Sequence, residues 1–163
     1  MAAQGNAALR IGIQIVLAVV IAVGVYYLYR TITDPWEAYE AEQFQTELTR
    51  ARMDHIRTAL IEHRDQTERY PGSLDSLVAF VKTDSVYQSA DLGEVFAMPE
   101  GAGAFVPDSL PYSPRTGSPF IYDIVRNDST GVEIYYLQDP DVPEDYIGAR
   151  EVDPARRNAA SWE

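Results

Sequence analysis

Residues Ile11–Tyr29 read IGIQIVLAVVIAVGVYYLY, with Gln14 the one strongly polar side chain among them. As a helix rising about 1.5 Å per residue the run spans ~28 Å, close to the ~30 Å hydrocarbon core of a bilayer. A lone segment in lipid has to be helical, because nothing there satisfies open backbone groups. Tyr26, Tyr27 and Tyr29, followed by Arg30 and a nearby Trp36, supply the aromatic and basic residues that favour a membrane–water boundary. A cleavable signal would carry a shorter apolar run of about 7–15 residues ending in small side chains; this run ends in tyrosines. We therefore expect an uncleaved transmembrane helix over 11–30 behind a short tail, 1–10.

Orientation rests on flanking charge. Arg10 and Arg30 nearly balance, but the tail has no acid, whereas the far side turns acidic at once with Asp34, Glu37, Glu40 and Glu42. The simpler arrangement keeps the short tail cytoplasmic and translocates the rest. The expectation is a single-pass protein of the inner (cytoplasmic) membrane, N-inside, with its C-terminal domain in the periplasm.

The charge is segregated. The chain has 13 Lys+Arg against 25 Asp+Glu, for a formal charge of −12, and no acid precedes Asp34. Residues 34–163 alone stand at −14. So acidic a body repels phosphate, since nucleic-acid binding depends on Lys and Arg displacing condensed counterions; nucleic acid is excluded as a main partner. With no Cys there is no disulfide, thiolate metal site or Cys nucleophile.

Asp34-Pro35-Trp36-Glu37 has the chemistry of a helix start, with Asp34 as cap and Pro35 in the first turn. From Trp36 to Arg69 there is no Gly or Pro. Ala41, Phe44, Leu48, Ala51, His55 (or Ile56), Ala59 and His63 recur at steps of three and four, and Met53, Leu60 and Ile61 widen the stripe, so a long amphipathic helix is expected over 36–69. Tyr70-Pro71-Gly72 ends it. Ser73 then caps a short helix, 73–81, with Leu74, Leu77, Val78 and Val81 on its apolar side. Residues 84–110 read as loop. PFIYDIV (119–125) and VEIYYL (132–137) read as strands of an antiparallel hairpin, 119–137, with turn residues 127–131 between them. From Asp139 to Glu163, Pro140, Pro143, Pro154 and the acids predict an extended tail.

This order of elements resembles a type IV pilin-type protein and is most similar to the major pseudopilin of type II secretion. The residues carrying the likeness are Ile56-Arg57-Thr58-Ala59-Leu60, Arg69-Tyr70-Pro71-Gly72-Ser73-Leu74-Asp75-Ser76-Leu77, and Tyr112 through Tyr122. In the last of these, Ser113-Pro114 and Thr116-Gly117 stand in for that family's Asp-Pro-Trp-Gly lead into a strand, and Arg115 replaces its Trp. Ser161-Trp162 matches its closing Ser-Trp. The likeness covers about two-thirds of the chain. It implies an α+β fold in which an N-terminal transmembrane helix continues into a long amphipathic helix packed on a small antiparallel sheet. At the N-terminus the pattern departs. Gly5 is followed by Asn6-Ala7-Ala8-Leu9-Arg10, without the family's Phe, and Arg10 holds the position of its Glu. That departure argues against a conventional filament subunit.

Candidate chemistry is sparse. The resembled family can hold calcium in its C-terminal loop. Asp139, Asp141, Glu144 and Asp145 provide oxygens of the kind calcium takes, and the competing reading is a solvated acidic loop. His55 and His63 lie two helical turns apart, too far to share one metal, and read as packing or interface residues. Tyr112, Tyr122, Tyr135, Tyr136 and Tyr146 read either as amphipathic core or as an interaction surface. In the apolar run, Ala18-x-x-x-Ala22 with Gln14 is a small-xxx-small pattern that admits close helix packing.

We expect no enzyme, no cofactor other than calcium, and no small-molecule substrate. The expected partners are other membrane protein subunits and the lipid bilayer. By resemblance the role is a structural or assembly component of an envelope secretion or pilus-type machine. The alternative is an accessory scaffold subunit of a respiratory or photosynthetic membrane complex. A third reading is a periplasmic binding module with an acidic cation site.

Overall fold

The computed structural model describes residues 3–126, 131–151 and 153–163, the side chains of 3–8, 34, 35 and 154 excepted. The fold is α+β, with elements in the order α1 (Ala3–Thr67), α2 (Leu74–Thr83), α3 (Ser85–Ser89), α4 (Leu92–Val95), β1 (Ile121–Arg126), β2 (Glu133–Gln138) and β3 (Tyr146–Gly148). Short 3₁₀ turns sit at Pro107–Ser109 and Pro154–Arg156. The chain divides into two compact units, Met1–Gln43 and Phe44–Glu163.

The first unit is helix alone. Among the described residues, α1 is the one helix long and apolar enough to cross a membrane, and none of its most apolar window is buried. Asp34-Pro35 does not start a helix, contrary to the local signal, because both residues lie inside α1. Pro35 removes one backbone donor at a cost of about 3 kcal/mol. Propagation on both sides of an existing helix is cheap compared with a fresh nucleus, which opposes a break there.

In the second unit, α1 contributes Thr49, Met53, Ile56, Ala59 and Leu60 as fully buried residues. The buried stripe therefore centres on Met53, Ile56 and Leu60, whereas Leu48 and Ala51 are half-buried at its margin. The helix stops at Thr67, two residues before the expected end, and Glu68 takes the left-handed conformation (φ 61°) found just past many helix ends. Ser73 caps α2 by accepting from the Ser76 N–H at 3.2 Å. That helix buries Leu74, Leu77, Val78 and Val81. Residues 84–110, read as loop, hold α3, α4 and a 3₁₀ turn, each too short to show a period.

The sheet is antiparallel with order β1-β2-β3. Tyr122 pairs with Leu137 and Val125 with Ile134, while Tyr136 pairs with Gly148. The turn expected over 127–131 lies, apart from Gly131, outside the described residues. The extended tail expected over 139–163 is corrected. Tyr146–Gly148 forms β3, Ile147 bridges to Ala160, and Trp162 packs against the core. One core cluster joins Met53, Ile56 and Leu60 with Leu77, Val81, Phe96, Leu110, Tyr135, Leu137 and Ile147.

Candidate functional site

Two surfaces carry the sequence-derived candidates, one in each unit. In the first, Gln14, Ala18 and Ala22 are exposed on α1. A Cβ added at Gly12 or Gly24 would meet nothing within 4 Å, so this stretch is open to a neighbour along its length. From Leu9 to Ile32 every Val, Ile and Leu is exposed, as are Tyr26, Tyr27 and Tyr29. So large an apolar surface left bare in water is unfavourable by about 25 cal/mol per Å².

Past that run, Trp36 and Tyr39 are exposed, with ring centroids 6.3 Å apart. The indole N–H of Trp36 donates to Glu40 Oε1 at 2.6 Å, and the Gln43 amide donates to the Tyr39 hydroxyl at 2.5 Å. The aromatic-belt reading had taken in Trp36 but missed this pair. Its signal was the step of three and four from Tyr29 through Ile32 to Trp36 and Tyr39.

In the second unit the four acids of the 139–145 loop take different partners. Asp145 is buried and accepts from Arg50 through both oxygens, Nε to Oδ2 at 3.0 Å and Nη2 to Oδ1 at 2.8 Å. This planar fork holds the Arg50 charge above its ordinary range, chiefly through the hydrogen bond. The guanidinium also lies 5.2 Å from the centre of the Trp162 ring. Asp139 is fully buried, with Arg115 Nε 3.8 Å away. Burial raises its carboxyl from the ordinary range, while the Asp141 N–H, Ser113 and Arg115 act the other way. Asp141 accepts from the Ser113 and Thr116 hydroxyls, each at 2.9 Å, and Glu144 is exposed. Among the described residues, no group of three or more His, Asp or Glu could hold a metal ion. Arg50 and Arg115 stand where a calcium reading would place the cation, and sequence reasoning missed both roles. The available signal was Arg115 itself, a cation in the Ser113–Gly117 turn.

Compared with family models, curated proteins and solved structures, the chain matches none.

The turn motif does what a turn before a strand should do. The Ser113 N–H donates to Ser118 O at 2.8 Å, the Phe120 N–H to Pro111 O at 2.8 Å, and Tyr112 bridges to Pro119. The Tyr122 hydroxyl donates to Pro71 O at 2.9 Å, tying strand β1 to the Tyr-Pro turn. His55 is buried against Phe96 and Phe105 with Nε2 3.0 Å from Ala97 O, and His63 Nδ1 lies 2.9 Å from Arg69 O. They do not face one site. Of the tyrosines, Tyr135 is fully buried and stacks edge-on to Tyr70, Tyr136 is nearly buried, and Tyr112 is exposed. Burial pushes the Tyr87 hydroxyl up to about 12.

An open cleft of about 580 Å³ lies beside β3, lined by Tyr136, Tyr146, Arg150, Glu151 and Arg156 among others. Arg150 sits 4.6 Å over the Tyr136 ring and donates to Gln138 Oε1 at 3.0 Å. Arg150, Glu151, Asp153 and Arg156 give the lining of this cleft charges of both signs.

Proposed function

We propose that this chain is a single-pass protein of the inner membrane, N-inside, whose 44–163 unit works in the periplasm as a non-catalytic structural or assembly component of an envelope secretion or pilus-type machine. The observation that carries this reading is the unburied apolar stretch of α1, ending in tyrosines, joined in sequence to a small α+β unit. The Tyr-Pro turn meeting β1 through Tyr122, the capped α2, and the core cluster that Met53, Ile56 and Leu60 share with Tyr135 and Leu137 all agree with a pseudopilin-like domain. The engagement of Arg50, Arg52, Arg57 and Arg115 in intramolecular bonds supports a structural role.

A second reading is favoured by Arg10, which stands where pilin-type chains carry the Glu that registers subunits. On that reading the chain is an accessory scaffold subunit of a respiratory or photosynthetic membrane complex.

One experiment separates them. Native membranes are washed with alkaline carbonate, and the chain is then extracted in mild detergent and its stoichiometric companions identified by mass spectrometry. Retention after the wash with secretion or pilus components is the expected result. Recovery with a respiratory or photosynthetic core supports the second reading. Release by carbonate overturns both. A Leu17→Arg variant should weaken insertion by about 2.5–3.5 kcal/mol, read as loss from the washed membrane fraction.

A further inference from the structure

The exposed rings beyond the apolar run are arranged for a helical neighbour. Tyr29, Ile32, Trp36 and Tyr39 follow steps of three, four and three, the repeat by which one helix seats on another. Trp36 is 63 % exposed and Tyr39 55 %. Both side chains are already held by their bonds to Glu40 and Gln43, which lowers the entropy lost when a partner covers them.

Anchoring in the lipid boundary does not account for this pair. Measured from Tyr29 along the helix, Trp36 lies about 10 Å and Tyr39 about 15 Å further out. The headgroup layer on one side of a bilayer is only about 5–8 Å deep. The charge around the rings limits what can cover them. Glu40 and Glu42 flank the stripe on its two sides, and there is no Lys or Arg between residues 31 and 49. A second copy in register would set these carboxylates against their own kind, and an anionic lipid surface would repel them.

We infer that Ile32, Trp36 and Tyr39 form a docking face for a helix of a neighbouring membrane subunit, one whose contact side is apolar and whose flanks carry Lys or Arg. The inference rests on the membrane reading above and adds to it the chemistry of the partner.

The test places the photo-crosslinker benzoylphenylalanine at Tyr39 in the full chain in native membranes, with the same group at Ala41 as control. Ala41 lies about 200° around the helix from Tyr39. The expected product joins position 39, and not 41, to an apolar helical segment flanked by Lys or Arg. Its yield should fall about tenfold or more when Glu40→Lys and Glu42→Lys are combined. In the unsubstituted background, raising salt from about 0.15 M to about 0.5 M should lower the yield as well, since the attraction is screened. Crosslinks to a second copy, to lipid alone, or to a segment with acidic or uncharged flanks would each overturn the inference. Carbonate washing of the same membranes keeps the two claims apart. A chain that stays in the washed membrane but gives one of those products loses the docking face only, whereas a released chain loses the membrane reading as well.

Discussion

Leu17 and Leu60 belong to the same helix, yet one is 57 % exposed and the other fully buried. Over residues 11–29 the apolar side chains cover the whole circumference of α1, so no rotation of the helix could bury them against one small unit. Over 44–67 the apolar residues keep to one face, and Arg50, Arg52 and Arg57 reach outward to Asp145, to the Tyr112 carbonyl, and to Glu163. The backbone is satisfied identically in both stretches. What differs is the surroundings that each set of side chains suits, lipid in the one case on our proposal and a protein core in the other.

The sharpest way to break that contrast is to make the same truncation in both places. Leu60→Ala should lower the unfolding free energy of the full chain in mild detergent by about 2–5 kcal/mol, because it leaves a cavity among residues that cannot all collapse. Leu17→Ala should change it by no more than about 0.5 kcal/mol. Urea unfolding followed by the near-ultraviolet signal of the buried tyrosines measures both. Equal costs would mean that the 11–29 stretch is part of the folded core.

A second comparison sets two glycines of the 44–163 unit against each other. Gly148 sits at φ +88°, and a Cβ there would come within 2.0 Å of the Tyr135 carbonyl oxygen. Gly72 has nothing within 4 Å of the same position. Gly148→Ala should cost roughly 1–3 kcal/mol and Gly72→Ala close to nothing in the same urea titration. A harmless Gly148→Ala would mean that β3 does not pair with β2 as described.

These glycines also mark how far the sequence could be read. The Ser73 cap and strands β1 and β2 follow from signals within a few residues of each other and stand where local chemistry puts them, whereas α1 ends at Thr67, ahead of the Tyr-Pro turn. Strand β3 has only three residues among prolines and acids, too few for a pattern. It is held by distant partners: Gly148 N–H to Ala159 O, Ser161 N–H to Tyr146 O, and Arg50 to Asp145 across 95 residues of chain. The acids of that loop were visible in the sequence as possible ligands, but whether a cation or an arginine answers them depends on pairing that spacing does not encode. Pro35 shows the opposite failure, a correct local signal overridden by the helix on both sides of it.

A smaller effect is expected from the arginine that closes this loop. Arg50→Lys keeps the charge but loses the fork onto Asp145, and should cost about 1 kcal/mol given how exposed the Arg50 side chain is. Combining it with Asp145→Asn should cost less than the two single changes added together, since both remove one interaction. Full additivity in that cycle would show that the two side chains do not act as a pair.

The last and smallest effect is one of pH, and it belongs to the 44–163 unit alone. His55 Nε2 donates to the Ala97 carbonyl, while Nδ1 is buried without a hydrogen-bond partner. Protonating Nδ1 would place a charge between Phe96 and Phe105 with nothing to accept its hydrogen. Burial therefore lowers the pKa of this imidazole below its ordinary 6.5, with Arg52 adding to the effect and the Ala97 carbonyl opposing it. The unfolded chain takes up the proton first as pH falls. Stability from this group is thus fully present above pH 6.5, declines as pH drops below that value, and levels off once the folded imidazole is protonated too. His55→Gln should start less stable near pH 7.5 but lose less on acidification, so the two curves of unfolding free energy against pH converge between about pH 7.5 and about pH 5. Parallel curves over that range would mean that the His55 ring takes its proton as easily in the folded chain as in the unfolded one, and that its contact with Ala97 does not fix a neutral tautomer.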